Sequence, residues 1–349
     1  MNRTIEHTIK KRKENLNERL ENINEERESP MFGRGGAEFD VSGRTSAVHC
    51  GGIGIIRELI NRFGIPDLIN ENVRVFKRHK PYFESDHILN MAYNIVCGGT
   101  CIEDIELLRN NEAYMDAINA IRIPDPTTAG DFLRRFSMED IFDLSSVIEQ
   151  SNIRVALHAL SPKDKAVGII DVDGKIQATT GECKEKMDIT YTKEWGFSVL
   201  LLTEAVTGMH LNIVNRPGNA LSQEGAAEWM NRSINTVKQI FRRVIMRGDS
   251  AFSLTKEFDA WDDNAVDFIF GYDAHPNLVA IAENIGKNQW KILPHEEDRP
   301  KAPRRRRKKR FKQAAVARRG YRTLTQTKEY ISEFMYRPGK CDRDYRVIV

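Results

Sequence analysis

The sequence predicts a mixed α+β (or α/β) protein. An all-helical part comes first, a mixed five-stranded sheet with helices follows, and a partial β region closes the chain. Three observations carry this expectation. Residues 44–160 place apolar side chains at helical spacing. From residue 166, apolar runs of strand length take over, with one long amphipathic helix among them. After about residue 290 the chain turns strongly basic and then strand-like again. The expected divisions are 1–43 as a charged tail and linker, 44–160 as a helical domain, 161–289 as the sheet core, and 290–349 as a basic loop with a partial β insertion.

A chain of 349 residues with 40% hydrophobic content can bury a sizeable core and exceeds one typical domain. Its 53 Lys and Arg against 50 Asp and Glu leave a net charge of only +3, so the distribution of charge says more than the total. No apolar run approaches the roughly 18 residues of a membrane span, and no signal-peptide pattern opens the chain. The five cysteines are scattered and odd in number. A reduced, cytoplasmic protein with no membrane partner is expected. Cys97 and Cys101 sit at helical spacing and His49 adjoins Cys50, but no second ligand pair completes a zinc site.

Residues 1–30 hold seven basic and seven acidic side chains and few large apolar ones, as a solvated segment would. The Gly-rich stretch "MFGRGGAEFDVSGR" reads as a linker. "IIRELINRF", "DHILNMAYNIV" and "TCIEDIELLRN" then repeat the 3.6-residue apolar period. In "DPTTAGDFLRRF", Thr127 or Thr128 is the expected N-cap. About six helices result. Their Arg109, Arg122, Arg134 and Arg135 suit DNA contact or simple solvation equally well. "CGGIG" has no strand before it and no GK[ST] after it, so it does not read as a phosphate loop.

"AVGII", "WGFSVLLLTEAV" and "GMHLNIV" are the first three strands. In "LSQEGAAEWMNRSINTVKQIF", Ala226, Met230, Ile234, Val237 and Phe241 mark a long helix. "RRVIMRG" is the fourth strand, "SLTKEFDAW" a short helix and "VDFIFGY" the fifth strand. Turn-linked strands ahead of the only long helix make the first three antiparallel.

The chemistry gathers at strand ends. "AVGIIDVDG" carries Asp171 and Asp173, which the alternation of a strand turns to one face. Asp249 follows the fourth strand. If strands one and four pair, Asp249 comes close to Asp173 or Asp171, and carboxylates so placed repel unless a cation lies between them. Mg²⁺ suits such a pair: it is hard, oxygen-loving and commonly held by one or two carboxylates plus substrate phosphate. The plainer alternative makes Asp171 and Asp173 turn residues before Gly174, and Asp249 a helix cap.

"IIDVDG", "RPGN" (Arg216–Asn219) and "MRGDSAF" (Met246–Phe252), in that order, resemble the DDE transposases of bacterial insertion sequences, group 1. The resemblance covers about residues 44–349. It implies an RNase H-like core, DNA cleavage and strand transfer, and a helical front part that binds terminal inverted repeats. It implies Asp173 and Asp249 as catalytic, metal-holding acids, with Asp171 the second choice for the first position, and Mg²⁺ as the cofactor, with Mn²⁺ as its substitute. Arg216 and Asn219, placed on the loop after the third strand, would lie near the DNA. The implied partners are double-stranded DNA, both element ends and target, and a second copy on paired ends, in a bacterial, nucleoid-associated location.

The resemblance also implies a third acid, a Glu on a helix after the fifth strand, in a pattern like Y-x2-R-x3-E-x6-K. Residues 250–349 do not contain it; Glu329 and Glu333 lie in a strand-like stretch without the Arg. The expectation is a chain that ends inside a β insertion, ahead of the catalytic helix. Residues 300–319 hold eleven Lys and Arg and no acid. Within them, Arg304, Arg305, Arg306, Arg307, Lys308, Lys309 and Arg310 are the expected contacts to DNA phosphates. Trp290 is a candidate for stacking on a base or for core packing. Two rivals stand beside the transposase expectation: a non-catalytic DNA-binding remnant, and an RNase H-like nuclease unrelated to mobile elements.

Overall fold

The computed structural model describes residues 10–11, 13–14, 30–33, 48–78, 81–181, 184–293 and 330–349. The basic run 304–310, Glu329 and most of the expected N-terminal tail lie outside the described residues.

Seven α-helices precede the sheet among the described residues: α1 (Ile53–Arg62), α2 (Ile65–Asn72), α3 (Glu84–Val96), α4 (Ile105–Arg109), α5 (Glu112–Ala117), α6 (Pro126–Leu133) and α7 (Met138–Ala159). Their apolar stripes meet in one core containing Ile53, Leu68, Ile69, Tyr93, Ile105 and Ile118. Helix α6 starts one step earlier than expected. Asp125 is its N-cap and accepts from Thr128 N at 2.9 Å, and Pro126 takes the first helical position. Thr128 is the beneficiary of the cap rather than the cap, because a carboxylate ahead of proline is the better acceptor for a free N–H. Helix α7 opens on a reciprocal box in which Ser137 and Asp140 bond each other's backbone N–H.

Two expectations fail here. Met31 and Phe32 are not linker: both are buried, and their N–H groups donate to the buried Asp86 carboxylate. Cys50 and Cys97 are not free thiols but are joined by a disulfide that ties the approach to α1 to the end of α3. Their separation of 47 residues hid the contact from any local pattern. The helical arginines are largely engaged. Arg109 pairs with Glu106, Arg134 with Asp131, and Arg122 and Arg135 lie over the rings of Tyr82 and Phe76.

The second half is built on a six-stranded mixed sheet. Its strands are β1 (Val167–Ala178), β2 (Asp188–Ile189), β3 (Trp195–Glu204), β4 (Met209–Pro217), β5 (Arg243–Gly248) and β6 (Val266–Phe270). The order is β2-β3-β1-β5-β6, with β4 also pairing β3. β1, β3 and β4 are antiparallel neighbours, as expected, while β5 runs parallel to β1 and β6 parallel to β5. The two-residue β2 is the addition to the five strands foreseen.

Ile170 and Val172 of β1, Leu200 and Leu202 of β3, and Val244 and Met246 of β5 are buried on one face of the sheet. Helix α8 (Ala226–Lys238) supplies Ala226, Met230, Ile234 and Val237 to the same core. The alternating residues Asp171, Asp173 and Arg247 belong to the opposite face. Helix α7 is fastened to α8 by Arg232, which pairs with Glu149, bonds Ser146 Oγ at 2.7 Å and lies over the stacked rings of Phe142 and Trp229.

After β6 come α9's successor elements. Helix α9 itself (Phe258–Asp263) lies between β5 and β6, and α10 (Pro276–Glu283) follows β6. Strands β7 (Lys291–Ile292) and β8 (Tyr330–Ile331) pair, as do β9 (Glu333–Tyr336) and β10 (Tyr345–Ile348). Arg343 clamps the β9–β10 hairpin to α9 through Asp262 and Asp263. Trp290 is half-buried and lines an apolar cavity of about 800 Å³ together with Phe258, Phe270 and Tyr345, the packing alternative of its two readings.

Candidate active site

The site is a consequence of register. β1 and β5 are parallel, and their last paired residues are Asp171 and Arg247. Continued by two residues, the same register sets Val172 beside Gly248 and Asp173 beside Asp249. The sequences D-V-D and R-G-D therefore lie side by side, column for column. Gly248 shows that the strands remain in contact there. A Cβ on it would stand 2.7 Å from Val172 Cγ1 and 3.2 Å from Val172 O. Neighbouring strands lie about 4.8 Å apart, so the two Asp side chains leave adjacent backbones on one face.

β1 does not turn at Gly174, as the plainer reading had it, but runs on to Ala178. The acids stand where β5 stops, in the crevice outside the carboxyl end of a parallel strand that borders a longer antiparallel one. Such an end is where open α/β sheets place ligand-binding groups. Both Asp173 and Asp249 are exposed.

Each acid is held by its own backbone. Asp173 Oδ1 accepts from Gly174 N at 2.8 Å. Asp249 Oδ1 accepts from Ala251 N at 3.0 Å and caps the 3₁₀ turn Ser250–Phe252. The cap foreseen for Asp249 is thus real, and it occupies one carboxylate oxygen. The other oxygen of each acid accepts no hydrogen bond among the described residues. Gly271, at the end of β6, backs the Asp249–Ser250 peptide so closely that a Cβ there would lie 2.9 Å from Ser250 N.

Asp171 is placed differently. Both its oxygens accept from Arg247, Oδ1 from Nε and Oδ2 from Nη2 at 2.9 Å. The hydrogen bond to Asp171, and then its charge, push the Arg247 pKa above its usual value. Arg247 carries a signal that could have been read in the sequence: it precedes Asp249 by the same two residues by which Asp171 precedes Asp173.

Arg216 is not on a loop. It is in β4 and buried, and its guanidinium donates to Ser198 O at 3.2 Å, Ser222 O at 2.9 Å and Glu224 O at 2.7 Å. Burial lowers its pKa, with the Glu224 charge opposing. Arg216 therefore braces the turn after β4 rather than projecting from it. Asn219 does lie on that turn and is exposed. The braced segment reaches the acids, because a Cβ on Gly174 would be 3.5 Å from Ser222 Oγ.

The donor set suits a hard divalent cation with two protein carboxylates and remaining positions open to water or phosphate. Among the described residues no group of three or more His, Cys, Asp or Glu side chains forms a metal-holding cluster. Among them, too, no helix is long and apolar enough to cross a membrane.

No curated protein matches this chain. Among solved structures, it is similar to the piggyBac transposase in its synaptic complex with hairpin DNA, at 11% identity and a TM-score of 0.34. That alignment covers 72% of this chain, which spans 57% of the length of the piggyBac chain. The family model described as transposase DDE domain group 1 matches residues 37–349, a span that takes in the helices, the whole sheet and both facing acids, and the chain belongs to that family.

Proposed function

We propose that this transposase binds the ends of its element and, with a divalent cation at Asp173 and Asp249, cleaves DNA phosphodiesters and joins the freed 3′-OH to target DNA. The observation that carries the proposal is the D-V-D against R-G-D register, which faces Asp173 with Asp249 at the end of β5. The strand order, with β1, β3 and β4 antiparallel and β5 and β6 parallel to β1, supports an RNase H-like reading of the core. Residues 44–160 are proposed as the end-binding helical domain, and Arg304–Arg310 and Asn219 as DNA contacts. A second copy on the paired end is part of the same proposal.

A bound Mg²⁺, or Mn²⁺ in its place, supplies Lewis acidity, lowering the pKa of an attacking water and offsetting charge on the leaving oxygen. The chain's own contribution is placement. Each acid spends one oxygen on a backbone N–H and presents the other, so neither carboxylate has to reorganise to receive a cation. Arg216 holds the turn beside them, and Gly248 lets the two strands approach.

The test is nicking of end DNA by the full chain in Mg²⁺ and Mn²⁺. Asp249→Asn and Asp173→Asn are expected to retain end binding and to lose nicking by a factor of at least about 100. Unchanged nicking in either variant refutes the assignment. Wild-type binding without nicking in either metal supports the non-catalytic DNA-binding reading, which the two-acid cluster of the described residues favours.

A further inference from the structure

We infer that Arg247 is a specificity-determining residue: by holding Asp171 in a two-bonded pair it confines the cation site to Asp173 and Asp249 and thereby favours Mg²⁺ over larger cations. The inference rests on the reading of Asp173 and Asp249 as the metal-holding pair.

The sequence offers three acids on one face where two are used. Asp171 and Asp173 are about 6.6 Å apart along β1 and on the same side. Asp249 faces Asp173 across the strand gap. Left free, Asp171 would turn the pair into a three-carboxylate group. Such a group suits Ca²⁺, which takes six to eight oxygens in flexible geometry, better than Mg²⁺, which keeps its waters and needs few carboxylates. Arg247 removes Asp171 from that set. It engages both carboxylate oxygens, so none is left for a cation. The pairing is enforced by the backbone, since Asp171 and Arg247 are register partners. A guanidinium fork is the group that matches a carboxylate in this way. Arg247 is a positioning residue in this account: it acts through Asp171 and touches no reacting atom.

The same face provides a control. Arg243, four residues earlier on β5, pairs with Asp267 of β6 at 2.6 Å, away from the acids. Losing that pair removes an ion pair from the face without freeing a carboxylate beside the site.

The experiment is equilibrium binding of Mg²⁺, Ca²⁺ and Mn²⁺ to the full chain, read by calorimetry and by displacement of Tb³⁺ luminescence, with no DNA and no turnover. Arg247→Gln removes one positive charge and frees one negative charge. It is expected to bind Ca²⁺ about tenfold more tightly and to shift the Ca²⁺-to-Mg²⁺ preference in the same direction. The double variant Asp171→Asn/Arg247→Gln is expected to return to the wild-type preference, and Arg243→Gln to keep it. Asp173→Asn is expected to lose cation binding. A folded Arg247→Gln with wild-type preference, or with both cations weakened, overturns the inference while leaving the Asp173–Asp249 reading intact. Retained binding in Asp173→Asn overturns both. If Arg247→Gln does not fold, Arg247→Lys takes its place. It keeps the charge and loses the fork, and a smaller shift toward Ca²⁺ is expected; no shift overturns the inference.

Discussion

Gly248→Ala and Gly174→Ala add the same methyl group on either side of the acids, and the structure separates them. At Gly248 the new Cβ would stand 2.7 Å from Val172 Cγ1, 3.2 Å from Val172 O and 3.4 Å from Phe252 Cβ. The first distance is about 1 Å inside a normal carbon contact. Val172 is buried, and its β-branched side chain has little rotamer freedom to give way. The strands must part instead, at a cost of about 1–3 kcal/mol. At about 2–4 °C of Tm per kcal/mol, thermal unfolding should fall by several degrees. Parting β1 from β5 also parts Asp173 from Asp249, so Mg²⁺ binding weakens together with stability. At Gly174 the nearest atoms to a new Cβ are Ser222 Oγ at 3.5 Å and Phe252 Cζ at 3.8 Å, ordinary contacts. That variant should stay within about 0.5 kcal/mol of wild type. The assay is chemical and thermal unfolding followed by circular dichroism, paired with calorimetric Mg²⁺ titration. Equal tolerance of the two substitutions, or a costlier Gly174→Ala, refutes the register that places Asp173 against Asp249.

Two further predictions concern charge. His87 is buried against the Phe132 ring at 4.3 Å, and burial, then the Arg135 charge, hold its pKa down at about 3 against an ordinary 6.5. Between those values the unfolded chain binds the proton and the folded chain does not, so stability falls as pH drops below 6.5. At pH 4 the loss relative to pH 7 is about 3 kcal/mol, and His87→Phe should abolish this share of the acid sensitivity in denaturant titrations at the two pH values. For the basic run, the end-DNA affinity of the full chain should fall with salt at a log–log slope near about −5 if six phosphates are neutralised. Replacing Arg304–Arg310 by alanine should flatten that slope to near zero, and an unchanged slope removes the run from the DNA contacts.

Much of this protein is local and can be read residue by residue. Periods of 3.6 and 2 separate the helices from the strands, and the order of strands around one long helix decides which are antiparallel. The strand alternation alone puts Asp171 and Asp173 on one face. Misreadings arise where a partner is distant or a competing cap is better. Asp125, not a threonine, starts α6 because proline follows it. Met31 is buried because Asp86, 55 residues away, takes its N–H. Arg216 reads as a loop residue from "RPGN", yet the pairing of β4 with β3 carries it into the sheet and under the turn it braces. The choice between Asp171 and Asp173 shows the division most plainly. Nothing within "DVDG" distinguishes the two acids, which have the same side-chain chemistry and the same face. The parallel register of β1 with β5 brings Arg247, 76 residues away, opposite the first and Asp249 opposite the second. Sequence alone determines that two like charges share a face at this strand; only tertiary pairing decides which is neutralised and which is left for a cation, because charge interactions are set by distance in space and not by separation along the chain.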